Sequence, residues 1–397
     1  MIDKTTRQTI LKQPRPEPPF RSEPLLGSWY TEAEMEALNR VVRESNDWRG
    51  DGFGFICQEI TDFEAAFARY VGVEHAVSIT SAGAGLDMAV MCLDLKPGDE
   101  VIVPAINFKA AAHSVIGQGG KVVWCDVDPR TLCADPADFE RRITPRTRAI
   151  IATHMNGLSA DMDALEAVAA RHGGIKVIGD GARACGGGYK GTKIGKRGWM
   201  NIFSFHTQKL MTTLGEGGMV VTGDPELGAR LRQLRQWGLG QRWGTNFKMT
   251  KVQAAVGIVQ LARLPEMLAP RLALAQERNR LLAGVPELTL PYTPEGYEHT
   301  FYLYTLLAPK AWAGAKRDRL MQIIDGEYGV GCVVANPPCY LSDPFLGSQT
   351  PPNERLPLSE ELGARLFCVS IHPLMTPAQN AYICAAIIEA VERVKAE

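Results

Sequence analysis

Short apolar runs recur along the chain at "HAVSIT", "EVIVPA", "KVVWCDV", "AIIATHM", "KVIGD", "NIFSFH" and "GMVVTG". They are nearly continuous in apolar residues rather than alternating, which predicts strands covered on both faces. Between most of them lie stretches with helical spacing: "AGLDMAVMCLDL", "FKAAAHSVIGQ", "DPADFERRI" and "DMDALEAVAARHG". Strands that alternate with helices predict βαβ units and an α/β domain built on a mostly parallel sheet.

The flanks read differently. In residues 1–27 the cluster "QPRPEPPF" disfavours helix, so this segment is expected to be an extended arm. "YTEAEMEALNRVVRES" then opens a helix with Thr31 as cap and Glu34 three residues on. "EITDFEAAFARYVG" is a second amphipathic helix. After the last apolar run comes a helix-rich connector, "TKVQAAVGIVQLARLPEMLAPRLALAQERNRLLAG", and then a change of character. "HTFYLYTLLAP" reads as a strand, "AKRDRLMQIIDGEYG" as a helix and "TPAQNAYICAAIIEAVERVKAE" as a closing helix. The expected partition is an N-terminal arm and helix at 1–47, a large α/β domain at 48–269 and a smaller α+β domain at 270–397.

Composition narrows the function without fixing it. The chain has 397 residues, 45% of them hydrophobic, and a net charge of −1, so there is ample core and no basic excess to attract a nucleic acid. No run of about 18 apolar residues occurs, and no membrane partner is expected. The nine cysteines are scattered with no CxxC pair, which argues against a zinc site and for reduced thiols in a cytoplasmic protein. His154, His206 and His372 fall nearest the expected site face, but no metal spacing links them.

In open parallel sheets, ligands sit beyond the carboxyl ends of the strands. At those ends four features stand out. "SITSAGAG" leaves a strand at Ser81 and enters a helix, where free N–H groups and close backbone approach suit a phosphate; small residues at such a turn also serve tight packing. Asp180 ends "KVIGD", as an anchor for a cation or as a turn aspartate. Phe108 follows "VIVPAIN", as a stacking platform or a core aromatic. Lys209 stands in "FSFHTQKLMTTLGEGGM", between a strand end and a glycine cluster. A phosphate seat, a stacking ring, a carboxylate and a lysine are the parts that pyridoxal phosphate needs.

At these residues the chain resembles the DegT/DnrJ/EryC1/StrS family of fold-type-I, pyridoxal-phosphate-dependent aminotransferases, many of which act on sugars. The resemblance runs from about Trp48 to the C-terminus. It rests on "PGDEVIVPAINFKA", "DVDPRTL", "GDGARACGGGYKG", "FSFHTQK", "GEGGMVVT" and "GTNFKMTKVQAAVGIVQL". It implies an aspartate-aminotransferase-like fold with a seven-stranded, mostly parallel sheet. It also implies that Lys209 forms the Schiff base with the cofactor and acts as acid and base, and that Asp180 pairs with the pyridinium nitrogen. Phe108 would stack on the ring. Ala82 and Gly83 would give N–H groups to the phosphate and Ser204 a hydroxyl, while Asn246 would reach it from the second subunit of a homodimer. Two positions depart from the family pattern: Arg183 stands near the cofactor's phenolic oxygen where Gln or His is usual, and Lys248 where Arg is usual.

The expected activity is transfer of an amino group from glutamate or glutamine to a ketone on a sugar, sugar phosphate, nucleotide sugar or cyclitol. A lyase or dehydratase acting on a related substrate is the alternative, and a non-enzymatic sensor a third. The Gly-rich "NDWRGDGFGFICQE" is a candidate substrate-side loop or a plain connector.

Overall fold

A computed structural model describes residues 2–47, 49 and 55–397. The glycines of the segment read as a candidate substrate-side loop or a plain connector, at positions 50, 52 and 54, lie outside these residues. In chain order the first strands are β1 (His75–Ile79), β2 (Glu100–Pro104), β3 (Lys121–Cys125), β4 (Thr147–Thr153) and β5 (Lys176–Asp180). They are followed by β6 (Gly188–Tyr189), β7 (Thr192–Lys193), β8 (Met200–Ser204) and β9 (Gly218–Thr222). Seven of them form the main sheet in the order β1-β9-β8-β5-β4-β2-β3, with only β9 antiparallel to its neighbours. The architecture is α/β, an open and mostly parallel seven-stranded sheet, as the alternating pattern predicts.

Every apolar run quoted above became one of these seven strands, and helices on both faces account for the unbroken apolarity. On one side the helix Gln58–Val71 brings Phe63 and Phe67 against Phe203 and Phe205, with ring centroids 5.2–5.4 Å apart. The helix Ala82–Met91 lies directly on the sheet. A Cβ at Gly85 would stand 2.6 Å from Ile79 and 2.9 Å from Ile202, so glycine sets this close approach. That contact carries the helix start to the carboxyl ends of β1 and β8.

The helix Lys251–Leu282 opens with a capping box of Thr250 and Gln253, and it runs unbroken through position 270. It packs on the large sheet's helices and also on the last helix, Pro377–Ala396. Around that last helix are β11 (Tyr304–Leu307), β12 (Cys332–Val333) and β13 (Leu366–Val369), which make a three-stranded sheet. The pair β6 and β7 makes another with β10 (Tyr297–Glu298).

The arm is not wholly extended. Lys4–Leu11 is a helix, capped by the Asp3 side chain. Its buried Arg7 reaches Glu389 at 2.9 Å and also pairs with Glu392, both on the last helix. These ion pairs come from a segment nearly 400 positions away, so nothing local to the arm announces the helix. The nine cysteines are unpaired. Among the described residues no helix is long and apolar enough to cross a membrane.

Candidate active site

Parallel register brings Thr153 beside Asp180 at the ends of β4 and β5, and pairs Asp180 with Ile202 of β8. β8 then ends at Ser204, and the chain must return to β9 at Gly218. It does so through a folded loop: the N–H of Phe205 donates to the Gly217 carbonyl at 2.8 Å, that of Thr207 to Gly215 at 3.0 Å and that of Thr213 to Phe205 at 3.0 Å. Gly215 and Gly217 take positive φ values of 118° and 157°, which any other residue would adopt only under strain. A Cβ on Gly217 would also meet the Thr213 hydroxyl at 2.1 Å. The glycine cluster thus folds the loop that places Lys209 over the sheet edge.

Here a cavity of about 380 Å³ opens. Ala82, Gly83, Phe108, Asp180, Arg183, Ser204 and Lys209 all line it. Phe108 is 53% exposed, so it is a wall of the cavity and not a core aromatic. Asn246 is exposed and lies outside this cavity; the Lys248 ammonium pairs with its side-chain oxygen. Further residues line the site that sequence reasoning did not single out. Thr153 and Asn107 adjoin predicted strand ends, and the strand-end rule reaches them. Tyr302 and Asn336 come from the segment after the long helix Lys251–Leu282 and Glu23 from the segment before the helix Glu32–Glu44, and no local signal marks them. His206 also lines the cavity, 3.9 Å from Glu216. His154 is core: its Nδ1 accepts from the Ala160 N–H at 3.1 Å, and burial pushes its pKa down to about 4. His372 faces instead an open, proline-walled groove of about 770 Å³ between the arm and the last helix, which holds none of the strand-end residues.

Electrostatics distinguish the cavity. Burial, and next the charge of Arg183, push the Lys209 ammonium down to about 7, against the opposing pull of Asp180. Its Nζ sits 4.8 Å from the centre of the Tyr302 ring, and the Arg183 guanidinium 5.3 Å from the same ring. Arg183 is fixed by donating to Asn156 Oδ1 at 2.9 Å. Asp180 accepts from the Ala182 N–H at 3.1 Å, and burial raises its pKa. The Ser81 hydroxyl caps the helix Ala82–Met91 by accepting from the Ala84 N–H at 3.2 Å, and a Cβ added at Gly83 would touch that hydroxyl oxygen at 3.6 Å.

Two buried polar atoms of the lining, Asn107 Nδ2 and Thr153 Oγ1, have no partner among the described residues. Such groups cost free energy unless something meets them. The residues therefore fit a phosphorylated pyridine aldehyde: N–H groups at a helix start, a buried carboxylate, a flat ring, a low-pKa amine and unmet donors, in a space of suitable size.

The sequence profile of the DegT/DnrJ/EryC1/StrS aminotransferase family matches residues 31–388. The chain is 36% identical over 342 residues to dTDP-3-amino-3,4,6-trideoxy-alpha-D-glucose transaminase of Streptomyces venezuelae, covering 85% of this chain and 88% of that one. It is 36% identical to GDP-perosamine synthase of Caulobacter vibrioides, over 83% and 89%. Among solved structures, S. venezuelae DesV superposes with a TM-score of 0.82 at 35% identity, covering 91% and 94%. An aminotransferase from Psychrobacter cryohalolentis gives 0.83 at 30% identity, over 95% and 99%.

Proposed function

The chain belongs to the DegT/DnrJ/EryC1/StrS aminotransferase family, and on that premise we propose that pyridoxal 5′-phosphate is its cofactor, held in the strand-end cavity. The amino group would pass from glutamate or glutamine to a ketone on a sugar, sugar phosphate, nucleotide sugar or cyclitol. The enzyme is an aminotransferase, and its relatives' action on sugar nucleotides supports this acceptor class. One observation carries the reading: Lys209 and Asp180 share a single cavity with a helix start, and Lys209 holds its proton weakly.

The cofactor, when bound, supplies an aldehyde that condenses with amines and a ring that withdraws electrons. The chain does the rest. Lys209 is substantially a free amine near neutral pH, so its Nζ is ready to attack an aldehyde and afterwards to move the proton lost from the donor's α-carbon. Asp180 would serve the ring nitrogen and keep it protonated. Ala82 and Gly83 N–H groups and the Ser204 hydroxyl hold the phosphate. Phe108 would cover one face of the ring and keep water from it, and Arg183 would supply positive charge to the phenolic oxygen.

Asn246 would hold the phosphate in the cavity of a second subunit. Its exposure supports that role, as do the exposed Trp237, Leu239 and Trp243 on the same segment, which suit a homodimer contact. The unpaired cysteines suit a reducing, cytoplasmic setting. The lyase alternative gains nothing from the relatives.

The test is the visible spectrum of the purified protein with pyridoxal phosphate, before and after glutamate or glutamine, beside Lys209→Ala. The expected result is a visible band that the donor bleaches and that the variant cannot form. A protein that takes up no chromophore would end the cofactor assignment. A band indifferent to both amino acids would end the donor assignment.

A further inference from the structure

Residues 1–30 precede the stretch that matches the family, yet the arm reaches the cavity through Glu23. Two anchors hold it there. Upstream, the Phe20 N–H donates to the Gly329 carbonyl at 2.9 Å and the Gly331 N–H to the Phe20 carbonyl at 2.8 Å, a short parallel bridge to the small domain. Downstream, the Gly27 N–H donates to the Thr207 carbonyl at 3.0 Å, and Arg271 donates to the Gly27 carbonyl at 2.8 Å. Gly27 lies so close to the lysine loop that a Cβ there would stand 2.1 Å from the Gln208 carbonyl oxygen and 2.4 Å from that of Lys209. The buried Arg271 also donates to the carbonyls of Phe301 at 3.3 Å and Ile371 at 3.2 Å. Arm, lysine loop and small domain are therefore tied together around the cavity mouth, with Glu23 between the ties.

The Glu23 carboxylate makes no hydrogen bond or ion pair among the described residues, although Lys209 and Arg183 share its cavity. An ionised carboxylate accepts hydrogen bonds and donates none. An amino-acid donor brings carboxylates, which Glu23 repels. A hydroxylated ketone brings O–H donors, which Glu23 attracts. We propose that Glu23 is a specificity-determining residue of the acceptor half-reaction, accepting hydrogen bonds from acceptor hydroxyls and disfavouring ketones that carry a carboxylate. The proposal rests on the pyridoxal-phosphate reading above.

The two halves of the reaction can be measured separately on the loaded enzyme. Wild type, Glu23→Ala and Glu23→Gln are first treated with glutamate or glutamine, and the loss of the visible band is timed. The aminated enzymes are then offered a dTDP-linked ketosugar, the cyclitol ketone scyllo-inosose, or pyruvate. The donor step should be unchanged or faster than in wild type, because the donor's carboxylates lose a repulsion. Relative to wild type, Glu23→Ala should lose about 10- to 100-fold in kcat/KM for the hydroxylated ketones, the worth of a hydrogen bond to a charged group. Pyruvate should be unchanged or improved, and Glu23→Gln intermediate. Equal losses for pyruvate and the hydroxylated ketones would overturn the proposal. So would unchanged kinetics, or a wild type that bleaches with donor but takes neither hydroxylated ketone. A wild type with no band, or none that donor bleaches, fails earlier: it removes the premise and the proposal with it.

Discussion

Arg235 and Lys209 are two cations enclosed by the same domain, and their surroundings differ in kind. Arg235 ends the helix Pro225–Arg235 and is 2% exposed. Its Nη1 pairs with Glu64 and donates to the Ser78 carbonyl at 3.0 Å and hydroxyl at 3.2 Å. Ser78 in turn gives both its N–H, at 2.9 Å, and its hydroxyl, at 2.8 Å, to the same Glu64 oxygen. Charge meets charge here, through one guanidinium nitrogen. Around Lys209 it does not: its ammonium makes no hydrogen bond or ion pair among the described residues, and Asn107 Nδ2 and Thr153 Oγ1 stay unmet nearby. The scaffold guanidinium and carboxylate neutralise each other, whereas the cavity's lysine has no counter-ion in contact among the described residues. Unmet polar atoms also occur elsewhere, Arg235 Nε among them. It is their convergence on one cavity with a weakly protonated lysine that marks the site.

Substitutions can break either side of this contrast. The largest effect is expected from Lys209→Ala, which removes both the amine and the proton carrier. Turnover should fall by about 10³-fold or more while thermal unfolding stays cooperative, as read by steady-state kinetics and circular dichroism. Glu64→Ala attacks the scaffold instead. It leaves the Arg235 guanidinium buried without its partner and should cost about 3–5 kcal/mol of stability in urea unfolding. Cofactor uptake should be unimpaired as long as the protein is folded. Asp180→Asn keeps the shape of the cavity but removes the charge, so about a hundredfold loss in kcat with the cofactor still bound is expected.

The smallest effect concerns pH. The Lys209 amine titrates at about 7 in the fold against its ordinary 10.5. Between those values the unfolded chain holds a proton that the folded chain does not, so stability of the cofactor-free enzyme rises with pH there. Below about 7 the burial of the ammonium is felt in full. Lys209→Met should flatten that slope by about 1 kcal/mol between pH 7 and pH 9, allowing for solvent at the cavity mouth. An equal slope in both proteins would place the depressed amine elsewhere.

Much of this arrangement was legible in the chain. The seven apolar runs are seven strands, because a strand covered on both faces must be apolar throughout. The box at Thr31, with Glu34, caps a helix, because that chemistry is complete within four residues. Ala82, Gly83, Phe108, Asp180, Arg183, Ser204 and Lys209 meet in one cavity because each follows a strand of one sheet, and parallel register aligns the strand ends. Tertiary structure alone decided the rest. The arm helix Lys4–Leu11 is docked by acids of the last helix, against the extended expectation that its neighbouring prolines gave. Tyr302, Asn336 and Glu23 are carried to the site by contacts between segments up to 300 residues apart, among them the carbonyls gathered by Arg271. Backbone hydrogen bonds and the desolvation that depresses the Lys209 amine depend on what packs there, and neither leaves a pattern in the residues that precede or follow.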